Sequence, residues 1–382
     1  MQFSCRVEFS TRPFAPTVCK VENACLQNYT LTLYDKSPYS EAFHDLLITT
    51  NPMGRWDPTS IKLQVLDPSI RNEDEEYSIT PAVAIERKPN FNVGHVWGDE
   101  IWPIFQMLQT YGAEKDDFQI ITTYVSGGPP WILELFKQIG RGKPVLSVLE
   151  PFTANRCYEI IYIGSNGMSY SEGSQHARSL VKFRDFIFDR FDIVPQALRR
   201  RPNILILLKS MSMSGHKSGF ENGEEIIATI KTTFPELNVD VVSWVGMPYK
   251  DQMEIMQSSD IVFSLPGSDI MNALFLPFGS TLVVPCRKVD VIEGSNEIRI
   301  WFNVFPYLRA FEVCGDGDVT FEGQSAIINL KTLQDYMKFA VHDWHSRRSM
   351  HFYKNRDFGS NMEGFTVSGN TTTPLYEFVE TK

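Results

Sequence analysis

A histidine and a carboxylate four positions apart are the first residues in this chain that could do chemistry. Asn92-Val-Gly-His95-Val-Trp97-Gly-Asp99-Glu100 opens a predicted helix, and the spacing puts His95 and Asp99 on one helix face. A carboxylate beside an imidazole suits general base work, because the pair sets a pKa and holds an orientation. The same spacing also fits a surface pair or a helix-capping aspartate. Trp97, Trp102 and Pro103, beside the His95–Asp99 pair, look like the wall of a pocket for a sugar ring or an apolar ligand, and Asn92 and Glu100 are further candidate substrate contacts.

A second constellation lies near residues 258–285. Ile261-Val-Phe263 is the short apolar run of a buried parallel strand. Pro266-Gly267-Ser268-Asp269 is a turn in which Ser268 and Asp269 are both plausible helix N-caps. Ile270, Met271, Leu274 and Phe275 follow at helical spacing, Pro277 and Gly279 stop that helix, and Leu282-Val283-Val284 is the next strand. A helix starting at the carboxyl end of a parallel strand presents free N–H groups and positive potential, which is an anion site. Ile204–Leu208 is another strand, and it ends in Lys209 and Ser210, a cation and a hydroxyl that fit a phosphate or a solvated strand end. The Gly/Ser-rich stretch 211–219 after it fits a binding loop.

These elements need scaffolds. At 382 residues, with 43% hydrophobic content, 27 Phe and 7 Trp, the chain has material for two cores. Residues 1–80 read as irregular, with strand-like alternation only at Leu31–Tyr34 and Ile61–Val65. From Ala82 strands and helices alternate, which predicts α/β architecture with doubly wound parallel sheets. The predicted first domain is 1–195 and the second 196–345, with a tail over 346–382. The boundary falls at Val194-Pro195, beside Arg199-Arg200-Arg201, read as a solvated linker.

Several function classes are disfavoured. Net charge is -10 and no basic stripe appears, so nucleic acid is not an expected partner. No apolar run is long enough to span a bilayer and the start is not a signal peptide. Cytoplasmic placement is the expectation for the chain as given, or the Golgi or endoplasmic reticulum lumen if a leader has been trimmed away. The six cysteines show no paired CxxC spacing, so no metal site is expected. Reduced thiols are the default, although Cys5, Cys19 and Cys25 could include a disulfide in an oxidising compartment. Asp316-Gly317-Asp318 has a metal-binding look, but flanking Gly315 and the apolar runs predict a hairpin turn. Dinucleotide, Walker and Gly-x-Ser-x-Gly motifs are absent.

Four segments together resemble the family 61 glycosyltransferases. Asn92-x-x-His95-x-x-x-Asp99 is similar to the family's early motif, and Cys157-Tyr-Glu-Ile-Ile-Tyr-Ile-Gly164 to its mid-chain strand. Lys250-Asp-Gln252-Met-Glu-Ile-Met256 resembles its Gln-containing helix, and Asn272-Ala-Leu-Phe-Leu-Pro277-Phe-Gly279-Ser280 its donor loop. The likeness runs over roughly residues 80 to 345. It implies a GT-B fold, with two Rossmann-like domains facing a cleft. It also implies inverting transfer without a metal or other cofactor, from a nucleotide sugar such as UDP-xylose or UDP-N-acetylglucosamine to a glycan or glycoprotein hydroxyl. By the same likeness Asp99 is the candidate general base with His95 beside it. Gly267, Ser268 and Asn272 fall on the donor loop, and Lys209 stands where an Arg follows Ser. The chain departs from the family in writing Pro266-Gly-Ser-Asp269 where the family usually has His-Gly-Ala-Gly. That departure favours a second reading, a non-catalytic nucleotide-sugar- or glycan-binding protein, and a GT-B-type sugar-nucleotide epimerase is a third.

Overall fold

The computed structural model describes residues 3–7, 17–27, 30–34, 47–49, 60–70, 76–85, 93–122, 130–147, 156–164, 177–197, 199–208, 219–285, 308–313, 317–322, 325–348, 365–366 and 377–378. The chain divides into two compact units. Unit 1 is Met1–Met168 with Asp189–Phe191, and unit 2 is Ser169–Phe188 with Asp192–Lys382. Parallel sheets with intervening helices make the chain α/β, as the alternation predicts. Among the described residues no helix is long and apolar enough to cross a membrane.

Unit 1 is built on a mixed sheet. Its strands are β1 (Phe3–Val7), β2 (Thr17–Gln27), β3 (Thr30–Tyr34), β4 (Leu47–Thr49), β5 (Ser60–Leu66), β6 (Glu76–Ser78), β7 (Ala82–Ile85), β8 (Gln119–Thr122), β9 (Leu146–Ser147) and β10 (Arg156–Gly164). The main path is β4-β5-β3-β2-β10-β7-β8-β9, with β1 on β2 and β6 on β10. β10, β7, β8 and β9 are mutually parallel neighbours, and β2 joins β10 antiparallel. All four residues of β7 are buried, as a central parallel strand requires.

The first 80 residues are therefore not irregular: they supply β1 to β6. Their strands escape sequence reading because β2 interleaves Lys20, Glu22 and Asn23 with its apolar residues and finds its partner far along the chain. Cys157 faces Cys25 across that pairing and the two form a disulfide, against the expectation of reduced thiols. Cys19 is also disulfide-bonded.

Helical backbone runs from Val93 to Tyr111 in three pieces: a short α turn (Val93–His95), a π turn (Val96–Ile101) and α1 (Trp102–Tyr111). Left-handed Gly112 (φ 69°) ends α1, its N–H bonding back to Gln109 and Leu108 carbonyls. Helix α2 (Pro130–Ile139) joins β8 to β9. Arg190 staples unit 1 together. Burial pushes its guanidinium down to about 10, and Arg141 adds to the effect. Its Nη2 donates to the Glu114 and Asp116 carbonyls, both at 2.8 Å, and its guanidinium lies 5.0 Å from the Phe118 ring centroid.

Arg190 is on α3 (Ala177–Phe191), whose stripe Leu180, Phe183, Ile187 and Phe191 is buried as amphipathic spacing predicts.

Unit 2 carries β11 (Asn203–Leu207), β12 (Asn238–Val242), β13 (Ile261–Ser264), β14 (Thr281–Pro285) and β15 (Arg309–Val313), in the order β12-β11-β13-β14-β15 and parallel throughout. Helices α4 (Gly223–Thr233), α5 (Tyr249–Gln257) and α6 (Leu330–Arg348) accompany it. The core gathers Ile204, Ile206, Ile226, Ile230, Phe263 and Val283 with Leu333, Met337 and Trp344.

The hairpin β16 (Val319–Glu322) and β17 (Ser325–Ile328) follows Asp316-Gly317-Asp318, so that motif precedes the hairpin and is not its turn. Asp318 accepts a 2.7 Å hydrogen bond from the Thr332 hydroxyl.

At the amino ends of β11 and β13, fully buried Asp260 accepts from the Asn203 N–H at 2.9 Å and the Arg199 N–H at 3.4 Å. Arg199 Nη1 lies 3.4 Å from the same carboxylate, so this arginine is tied to the unit and is not a solvated linker residue. Burial raises the Asp260 pKa above the ordinary carboxylate range, with the two N–H groups and Arg199 opposing. A raised folded-state pKa gives stability that is present below the unfolded value and is lost as pH rises through the folded one. Asp260→Asn keeps an acceptor for Asn203 and removes this loss. Its melting temperature relative to the parent should therefore rise as pH climbs above the ordinary carboxylate value. A relative fall over that range would mean that the Arg199 charge outweighs burial.

Candidate functional site

Open parallel sheets bind ligands beyond the carboxyl ends of their strands, where the strand order reverses. Unit 2 has one such point. From β11 the chain goes first to β12 on one side and then to β13 on the other, so the loops after β11 and β13 part there. The loop after β13 is the one the sequence marks for anion binding. Lys209 and Ser210 follow β11 and lie outside the described residues.

The structure refines the strand–turn–helix reading. The helix is a 3₁₀ segment, Ser268–Phe275. Gly267, not Ser268 or Asp269, takes the N-cap position with φ 149°, and the first turn closes through the Ile270 N–H to the Gly267 carbonyl at 3.1 Å. The backbone of Ser268 and Asp269 starts this segment, and their side chains lie outside the described residues. Ile270, Met271, Ala273, Leu274 and Phe275 are all buried, so the segment is apolar almost all round.

Helix α5 pins the 3₁₀ segment at two places. Asn272 Nδ2 donates to Gln252 Oε1 at 2.8 Å, and Gln257 Nε2 donates to the Phe275 carbonyl. Both glutamines and Asn272 are buried. Arg184 adds a third hold, its guanidinium 3.9 Å from the Phe278 ring centroid, just after the segment.

Ser243 and Trp244 escaped sequence reasoning. They follow β12 at the same edge of the sheet, and Ser243 Oγ and Trp244 Nε1 are buried without a hydrogen-bond partner among the described residues. A Ser-Trp pair directly after a strand run was the available signal.

Unit 1 has its own reversal between β10 and β7, since β8 and β9 extend from β7 away from β10. The helical backbone carrying His95 and Asp99 follows β7, and Gly164 closes β10 at φ 132°. That backbone is π-wound from Val96 to Ile101, a form that recurs at functional sites. Asn92 and the side chains of His95 and Asp99 lie outside the described residues. Trp97 is completely buried and Glu100 is 3% exposed, so both belong to the interior of unit 1. An indole packed this way serves the core, which the pocket-wall expectation did not foresee.

Residues 104–283, from the first turn of α1 to β14, match the family model described as Glycosyltransferase 61. This segment is a glycosyltransferase 61 sequence. No curated protein matches the chain. The match covers the 3₁₀ segment, α5 and β10, which hold three of the four segments that resemble the family. His95 and Asp99 stand just upstream of it.

Proposed function

We propose that the chain is a glycosyltransferase, an inverting, metal-independent enzyme of GT-B type. It moves a sugar, xylose or N-acetylglucosamine, from a UDP-sugar to a hydroxyl of a glycan or glycoprotein. The observation that carries the reading is the coincidence in unit 2 of the family-matched loop with the strand-order reversal. Unit 2 is the donor unit in this account and unit 1 the acceptor unit.

Asp99, with His95 beside it, takes the proton of the acceptor hydroxyl. The freed oxygen attacks the anomeric carbon from the face opposite the diphosphate. The bond from that carbon to the diphosphate oxygen breaks, configuration inverts, and UDP leaves with the electron pair. Backbone N–H groups after Gly267 and the Lys209 cation stabilise the charge that builds on the diphosphate. Ser210, Ser268, Asp269 and Asn272 complete the donor contacts.

Chelation tests this division of labour. Transfer from the UDP-sugar should persist in EDTA. Loss of activity that Mn²⁺ alone restores would contradict the reading and move attention to Asp316 and Asp318.

A further inference from the structure

Asn272 and Gln252 form a buried amide pair whose polarity is fixed from one end. Gln252 Nε2 donates to the Met247 carbonyl at 2.8 Å. A carbonyl only accepts, so the NH₂ end of Gln252 must face Met247 and its oxygen must face Asn272. Asn272 then offers its own NH₂ to that oxygen at 2.8 Å. Its Oδ1 is thereby turned the other way. That oxygen is buried, in a residue only 1% exposed, and has no hydrogen-bond partner among the described residues. Buried polar atoms are nearly always paired, and an exception asks for an explanation.

A fixed carbonyl acceptor does not suit a phosphate oxygen, because both carry negative charge. It suits an O–H or N–H. We infer that Asn272 Oδ1 accepts a hydrogen bond from a neutral hydroxyl or N–H group of the nucleotide sugar, and that Gln252 is the positioning residue that sets this polarity. The inference rests on the donor reading above and assigns two tasks within one loop. Backbone N–H groups at the Gly267 turn meet the diphosphate, and Asn272 reads an uncharged part of the same molecule. With Gln252 replaced, the Gln257 bond to the Phe275 carbonyl still holds the segment to α5.

The test uses the full chain, its Gln252→Met and Asn272→Leu variants, and the double variant. UDP and inorganic pyrophosphate are titrated calorimetrically, and kcat and KM are measured for the UDP-sugar. Pyrophosphate affinity should stay within about twofold of the parent in every variant. UDP affinity, or KM for the UDP-sugar, should worsen about tenfold in each single variant. The double variant should be no worse than Asn272→Leu, because both changes act through one oxygen. A loss already seen with UDP places the contact on the uridine, and a loss confined to the UDP-sugar KM places it on the sugar. Equal weakening of pyrophosphate and UDP, additive losses, or unchanged affinities would overturn the inference. A parent chain that binds neither UDP nor pyrophosphate would overturn the donor reading and the inference with it. If Asn272→Leu does not fold, the contrast between UDP-sugar and pyrophosphate in Gln252→Met decides.

Discussion

Asp99→Asn is expected to lower transfer about a thousandfold or more while UDP binding survives. The asparagine has nearly the same shape but takes up no proton at neutral pH. The acceptor oxygen must then attack as a neutral hydroxyl, and general base assistance contributes factors of about 10² to 10⁴ in comparable reactions. Donor affinity is governed by unit 2 in this account, so UDP titration should give the parent value. Near-normal turnover in the variant would remove Asp99 from the mechanism. Loss of UDP binding together with activity would instead point to damage reaching beyond the base.

The second large effect concerns stability. Cys25 and Cys157 stand opposite each other on β2 and β10 and close a loop of 132 residues. A cross-link over so long a loop removes much chain entropy from the unfolded state, about 3 to 5 kcal/mol of stabilisation. It also fastens the strands of the N-terminal segment to the parallel part of the unit 1 sheet. The Cys25→Ser/Cys157→Ser double variant should therefore unfold at markedly lower denaturant, with unit 1 affected first. Because Cys19 is disulfide-bonded as well, reductant acts on more than one bridge, and the double variant isolates this one. An unchanged midpoint would show that β-sheet pairing alone holds β2 on β10.

The contrast between β2 and the strands of unit 2 shows what sequence could and could not reveal. Ile204–Leu207, Ile261–Phe263 and Leu282–Val284 are unbroken apolar runs, and all are buried in one parallel sheet. Such strands need no knowledge of their partners to be recognised. β2 is different, since its pairing with a distant strand decides its state while polar residues interrupt its pattern. Local winding was also out of reach. The π turn at Val96–Ile101 and the 3₁₀ winding of Ser268–Phe275 carry ordinary helical patterns, and tertiary tethers such as Gln257 to the Phe275 carbonyl accompany the tighter form.

The candidate site divides in the same way. The turn at Gly267 was visible as a local sequence of strand, turn and helix. The Gln252–Asn272 pair was not, because nothing local links residues 20 positions apart on separate elements. Arg199 and Asp260 are a similar case, joined 61 positions apart by the burial of a carboxylate. Trp97 read as a ligand wall because tryptophan beside polar residues is ambiguous, and its complete burial places it in the core.

The most direct measurement for the account is a nucleotide-release assay. The full chain is incubated with UDP-xylose, UDP-N-acetylglucosamine, other UDP-sugars and GDP-sugars, each with a panel of glycan acceptors. Acceptor-dependent UDP release and an inverted anomeric configuration in the product are expected, strongest with UDP-xylose or UDP-N-acetylglucosamine. A chain that folds normally yet releases no nucleotide from any donor, or that gives a product of retained configuration, would contradict that expectation.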